Sequence, residues 1–479
     1  MRRSPMLRRF LFPLLGAISA TGAFAPTQAA PLSVSEDGRY LVTPDGEPFF
    51  WLGDTAWELF HRLAYDEAIA YLDDRAARGF TVIQAVALAE HDGLKAKTPH
   101  GYLPLHGTDP ARPLMIDGPD NDYWDHVDRV VEAANDRGLI VALLPTWGDK
   151  WNLKWGLGPV VFTPENARVY GEWIGARYRG KDVIWVLGGD RNPETDEHLA
   201  ITDAMAAGIE AAAGEDALIT FHPQGGSGSA QWFHDRPWLD FNMRQNGHNT
   251  DYRHYTGTIS DRARDPAKPL VEGEPLYEGI PIQFDAETNG YAMALDVRRP
   301  LYWNLFNGAA GHTYGHNSIW QMFDERYWGA IDPIVTWREA LLATGGDDMR
   351  HGKALLTSRP GWEKRVRAPE IIVERNGGKS VPGGGAQTVV ATRSAAGDWA
   401  MVYVPVSRPV SIAAGAVSGE TMTAWLFDPR TGAATPLGQH DTGEDFAFTP
   451  PEAGERIDWV LVLDGDGSDF PAPGSLDDR

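Results

Sequence analysis

Two carboxylates carry the chemistry that this sequence suggests. Asp190 stands in Gly188-Gly189-Asp190-Arg191-Asn192, directly after the apolar run Val183-Ile184-Trp185-Val186-Leu187. Glu274 stands in Gly273-Glu274-Pro275, just after Leu270-Val271. Glycoside cleavage needs such a pair: one carboxyl donates a proton to the leaving oxygen, and the other attacks the anomeric carbon or activates water. Residues suited to holding a sugar follow other apolar runs. These are Asp54, Trp57, His91, Trp147, Lys150, Arg191, Asn192, His222, Gln245, His248, Tyr277, His312, His316 and Trp320. Carboxylates, amides and imidazoles hydrogen-bond polyols, and indole faces stack on sugar rings. Asp190 and Glu274 are therefore the candidate catalytic residues, and the others are candidate substrate contacts. Glu272 and Glu278 remain alternatives to Glu274. A proton donor needs a raised pKa, which an inward Arg191 would oppose, so Arg191 is expected to point elsewhere. His312 and His316 are four apart, but no zinc-helix motif surrounds them, and no metal or cofactor is expected. A nucleophile elbow for serine esterase chemistry and a P-loop are both missing.

The elements that must position these groups read as alternating strands and helices. Strands are expected at Phe49–Gly53, Phe80–Leu88, Leu139–Pro145, Val183–Gly188, Ala217–His222, Leu239–Asn242, Pro269–Gly273 and Leu301–Phe306. Helical periods fall between them. This is the signature of an α/β fold of the (β/α)8 TIM-barrel type, whose active sites lie where the strands end. A doubly wound sheet is disfavoured because no Gly-rich phosphate loop follows the first strand. From about residue 350 the pattern changes to strands parted by Gly, Asp and Pro turns, which predicts a C-terminal antiparallel β-sandwich. The expected organisation is a signal peptide over 1–30, the barrel over 31–349, the sandwich over 350–466 and a disordered tail over 467–479.

The export signal rests on Arg2-Arg3 and Arg8-Arg9, an apolar run from Phe10 to Phe24 and a small-residue zone through Ala29-Ala30. It predicts a periplasmic or secreted protein with no membrane attachment after signal cleavage. Of 479 residues, 43% are hydrophobic and 23% charged, which excludes a disordered chain and a polytopic membrane protein. The formal net charge of −23 makes a nucleic-acid backbone or an anionic membrane a poor partner. With 0 Cys there is no disulfide framework and no thiolate nucleophile. The 18 Trp, 15 Tyr and 18 Phe serve a core or a sugar cleft equally well. Nothing in the sequence addresses oligomeric state.

Taken in order, the run Trp51-Leu52-Gly53-Asp54-Thr55-Ala56-Trp57, the Gly188–Asn192 segment, Gly273-Glu274-Pro275 with Tyr277-Glu278, and Gly311-His312-Thr313-Tyr314-Gly315 resemble glycoside hydrolase family 140. These are the apiosidase-like barrels with a C-terminal domain of collagen-binding label, and the resemblance spans roughly residues 33 to 465. It implies a (β/α)8 barrel followed by a β-sandwich. It also implies cleavage of an apiosyl linkage joining a side chain of the pectin rhamnogalacturonan II to its backbone. By motif, Asp190 would be the acid/base and Glu274 the nucleophile. The implied partner is a plant cell-wall oligosaccharide or polysaccharide. Two other readings stay open: a different glycosidase, such as an arabinofuranosidase, mannanase or glucanase, and a non-catalytic carbohydrate-binding protein.

Overall fold

A computed structural model describes residues 32–95, 98–249, 255–373 and 385–475. The export signal expected over 1–30 lies outside them. Eight parallel strands form the central sheet: β1 Trp51–Thr55, β2 Val82–Val86, β3 Ile140–Leu144, β4 Val183–Gly188, β5 Ile219–His222, β6 Asn242–Gln245, β7 Leu270–Glu274 and β8 Gly311–Tyr314. Neighbours in sequence pair in register, and β8 returns to pair with β1. Between β5 and β6 the ring is closed by the Asp240 N–H to Ile219 O (2.9 Å) and by Thr220 Oγ1 to Phe241 O (2.6 Å). The result is a (β/α)8 barrel. Its strands are buried on both faces, which explains their near-continuous apolar runs. Helix starts follow local chemistry. The side chains of Asp122, Thr163 and Thr195 each accept an N–H from the first turn of the helix that follows.

Three expectations need correction. Leu301–Phe306 is the last part of a helix, Ala294–Phe306, and the eighth strand is Gly311–Tyr314. A short apolar run cannot tell a buried helix from a buried strand, and this helix is buried almost all round. Residues 349 and 350, the expected domain boundary, fall inside a further helix, Thr344–Thr357. The described part of the expected disordered tail docks on the body: Phe470 packs under Arg359 with 5.4 Å to the ring centroid, and the Gly474 N–H reaches Ser358 Oγ at 3.1 Å.

The C-terminal region has a six-stranded and a three-stranded antiparallel sheet. Val402, Ile412, Leu461 and Leu463 share its core. It is joined to the barrel through buried charges. Arg298 on the helix Ala294–Phe306 contacts Asp458 at 2.7 Å and Asp348 at 2.5 Å, and Arg359 grips both oxygens of Asp464 at 2.8 and 2.9 Å.

Candidate active site

Strand β4 ends in three successive left-handed residues, Gly188, Gly189 and Asp190, with φ of 93°, 98° and 57°. A Cβ on Gly188 would lie 2.4 Å from His222 O, and one on Gly189 would lie 2.8 Å from Gly148 N. Both positions therefore demand glycine, and the tight turn swings Asp190 over the barrel mouth. Its own left-handed backbone is a conformation that Asp tolerates better than most residues. The Asp190 N–H donates to His222 Nδ1 at 3.2 Å. That fixes His222 Nδ1 as an acceptor, so its Nε2 carries the proton in the neutral ring. Nε2 lies 3.0 Å from Glu274 Oε2.

Glu274 is aimed by a bulge. Across β6 and β7, Arg244 faces Glu272 but the next residue, Gln245, faces Glu274, so Gly273 is an extra residue in the ladder. Without it, Glu272 and Glu274 would share one face, since side chains alternate along a strand. With it, Glu272 stays beside Arg244 on the helix side, and Glu274 joins Gln245 on the cleft side. Gly273 packs so tightly that a Cβ would meet Met243 Sδ at 2.5 Å. Its freed carbonyl accepts from Gln84 Nε2 at 2.8 Å inside the barrel. Glu272 is bound by the Asn246 N–H at 3.0 Å and by the Asn246 side-chain amide. Burial pushes it up to about 8. Glu278 is likewise occupied, by Tyr314 Oη at 2.7 Å and the Gly345 N–H at 3.0 Å.

The two candidate carboxyls have opposite proton affinities. Burial raises that of Glu274, but the hydrogen bonds from His222 and His248 outweigh it and hold the group well below the usual carboxylate range. His248 Nε2 is 3.0 Å from Oε1. Burial and then the Glu274 charge push Asp190 well above the usual range, against the pull of Arg191 and a hydrogen bond from Gln245. The shifts run in opposite directions, so Asp190 keeps its proton to higher pH than Glu274 does.

Both groups line a cavity of about 580 Å³. Of the expected contacts, Trp57, Trp147, Gln245, His248, Tyr277 and Trp320 also line it. Trp57 and Trp147 form a tilted pair with centroids 5.1 Å apart, and His222 sits beneath them. His91 packs outside this wall, 5.7 Å from the Trp320 ring and 5.9 Å from that of Trp328.

Six expected contacts are placed elsewhere. Asp54 faces the helix layer with Leu52, and it takes Tyr71 Oη at 2.7 Å and Arg75 Nη1 at 3.4 Å. His312 pairs in register with the outward Glu272 and is buried on that same side, where burial lowers it to about 3. Lys150 is buried and held by both Asp149 oxygens at 2.7 and 2.8 Å and by Glu90 O at 3.5 Å. His316 caps the short helix Asn317–Trp320 by accepting the Ser318 N–H at 3.0 Å. Asn192 braces the loop after β5 through the Gln224 N–H (2.9 Å) and Ser227 Oγ (3.0 Å). Arg191 does turn toward the acid, with Nη1 3.2 Å from Asp190 Oδ2 and Nη2 2.9 Å from Glu90 Oε1. It is 1% exposed and both its terminal nitrogens are engaged, so it positions Asp190 and has little left for a sugar.

Sequence reasoning missed Glu90, Trp155, Gln224, Asn249, Gln283 and Phe284 at the cavity wall. Trp155 lies over Arg191 at 4.5 Å yet is 53% exposed. Gln283 and Phe284 are both left-handed, with φ of 58° and 60°, and Phe284 stands edge-on to His248. Glu90 and Gln224 sit just past strand ends and were legible by the same rule as Asp190. Trp155 and Phe284 come from irregular loops and carry no such signal. Among the described residues, no group of three or more His, Asp or Glu is arranged to hold a metal ion.

The family described as "Apiosidase-like, catalytic domain" matches residues 35–363. The chain belongs to the apiosidase-like family. Residues 369–464 match "Putative collagen-binding domain of a collagenase". The apiosidase-like chain is similar to a solved structure described as "Glycoside hydrolase", with 31% identity, a TM-score of 0.83 and coverage of 94% of this chain and 100% of that one. It is also similar to a glycoside hydrolase family 5 from Bacteroides vulgatus ATCC 8482, with 29% identity, a TM-score of 0.84 and coverage of 95% and 98%. No curated protein matches the chain. Family and fold together make this a glycoside hydrolase, with a carbohydrate as its substrate.

Proposed function

We propose that the protein is an exported, retaining glycosidase that cleaves an apiosyl-type linkage in the side chains of pectic rhamnogalacturonan II. Glu274 attacks the anomeric carbon and forms the glycosyl-enzyme. Asp190 gives its proton to the leaving oxygen, then takes one from the water that releases the sugar. The observation that carries this reading is the split in proton affinity between two carboxyls at one Trp-lined cavity. Such a split is how one pH supports both an acid and a nucleophile. The apiosidase-like family supports the sugar, and the basic, apolar, Ala-rich N-terminus supports export. Trp57, Trp147 and Trp320 supply stacking faces, while Gln245, His248 and Tyr277 supply polar contacts. His222 and His248 hold Glu274 ionised and fix its direction.

The test is product release from rhamnogalacturonan II side-chain oligosaccharides, with the anomeric configuration of the first product followed by NMR. Release of a chain ending in apiose, with retention, supports the reading if Asp190→Ala and Glu274→Ala are both inactive. Inversion overturns the nucleophile role of Glu274. Cleavage of another glycan alone overturns the substrate, and binding without cleavage of any glycan overturns catalysis.

A further inference from the structure

Most buried cations of this acidic chain face a carboxylate, as Arg75, Arg191, Arg298 and Arg359 do. One group differs. On the barrel face opposite the cleft, Arg39, Arg262, Lys364, Arg365 and Arg367 line a cavity of about 510 Å³ with Asp37. Arg39 lies in the segment before β1, Arg262 ends the helix Tyr255–Arg262 that precedes β7, and the other three lead into the sandwich. Among the described residues none of the five makes an ion pair within 4.0 Å. Their hydrogen bonds go to neutral acceptors: Arg39 Nη1 to Arg262 O (2.9 Å), Arg365 Nε to Leu305 O (3.0 Å) and Arg367 Nε to Asn307 Oδ1 (3.1 Å). Asp37 turns its carboxylate to Ser35 Oγ at 2.6 Å and to the Arg39 N–H at 3.1 Å. The crowding is visible in the proton affinities. Burial and then the Arg39 charge lower Arg262 to about 10, and burial and then Arg262 lower Arg365 to about 9.

We propose that this cavity is a second glycan site, which takes a short uronate-bearing stretch with its carboxylates on Arg39, Arg262, Lys364 and Arg367 over the buried Arg365. Guanidinium forks match carboxylates in shape and charge. The cavity is far larger than a lone inorganic anion and falls in the range of about 300–1,000 Å³ usual for organic ligands. A long polyanion such as a nucleic acid is disfavoured by the net charge of −23. The choice of a glycan rests on the carbohydrate substrate argued above. A polymer held on this face while another stretch occupies the cleft would gain effective concentration.

The experiment is calorimetric titration of the full chain with a short oligogalacturonate, with its methyl ester and with inorganic phosphate. The same titrations are run on the exposed-residue variant Lys364→Glu/Arg367→Glu and on Trp155→Ala in the cleft. The expected result is saturable binding of the acid form, weakened by roughly tenfold or more in the charge variant. Trp155→Ala should bind it unchanged, the methyl ester should bind weakly, and phosphate should fail to compete. Unchanged binding in the charge variant overturns the proposal, because the ligand then sits elsewhere. Equal binding of the ester, or displacement by equimolar phosphate, overturns it too. Hydrolysis of rhamnogalacturonan II oligosaccharides is measured on the same samples. If hydrolysis is absent while the binding pattern holds, the substrate reading fails and the second site stands.

Discussion

The barrel mouth and the barrel–sandwich junction both bury carboxylates, and they treat them differently. At the junction each buried Asp meets an arginine: Asp348 and Asp458 share Arg298, and Asp464 has Arg359 to itself. At the mouth, Asp190 and Glu274 share one cavity, and the neighbours of each push it the opposite way. Matched charge fixes geometry. Mismatched charge leaves one proton loosely owned, which is the condition acid–base chemistry needs. Arg191 shows the boundary between these regimes, because it pairs with Glu90 and only tempers Asp190.

The sharpest way to break this contrast is Glu274→Gln. Loss of the nucleophile should cut kcat by about 10⁴-fold or more in steady-state assays, with the unfolding midpoint little changed. Asp190→Asn should cost about 10²- to 10⁴-fold, and less on substrates whose leaving group needs no proton. Arg298→Met makes the opposite claim. It leaves two buried carboxylates without their cation and should lower stability by about 3–5 kcal/mol in urea titrations, with kcat unchanged at low temperature. Activity should fall as pH rises through the raised Asp190 pKa, because the acid must be protonated to act. Arg191 pulls that pKa down, so Arg191→Met should move the alkaline limb of kcat/KM to higher pH. A limb that stays put, or moves down, would separate Arg191 from the acid. The smallest effect is expected from Trp155→Ala, about tenfold in KM with little change in kcat, which would assign it to sugar binding alone.

The rule that strand-following residues build a barrel site brought Asp190, Glu274 and most of the indole wall together from sequence. Its failures have physical causes. Asp54 and His312 lie inside β1 and β8, where alternation turns them to the helix side, and that parity shows only once the register is known. Lys150 and His316 were polar groups consumed locally, by an adjacent Asp149 and by a helix N-terminus. The sequence favoured Glu274 but left Glu272 open as a rival, because a one-residue bulge sets which of them faces the cleft, and nothing but the glycine hints at it. The eighth strand was misplaced because the helix Ala294–Phe306 is buried on nearly all sides, so its last residues, Leu301–Phe306, show no polar face to mark a helical period. The two-domain plan was easier to read, since the switch from helical periods to Gly, Asp and Pro turns survives errors of several residues.

The bulge at Gly273 also inverts the usual ranking of genetic damage. Deleting a residue from a barrel strand ordinarily throws every later side chain to the wrong face. Here the ladder already pairs Glu272 and Glu274 with consecutive neighbours, so a lineage that lost Gly273 would keep its carboxylate pointed at the sugar. Gaining a side chain at the same codon would collide with Met243 and favour straightening the strand, which would hide the carboxylate in the wall. At this position the single-letter change is the graver accident, and homologues should vary here by length before they vary by residue type.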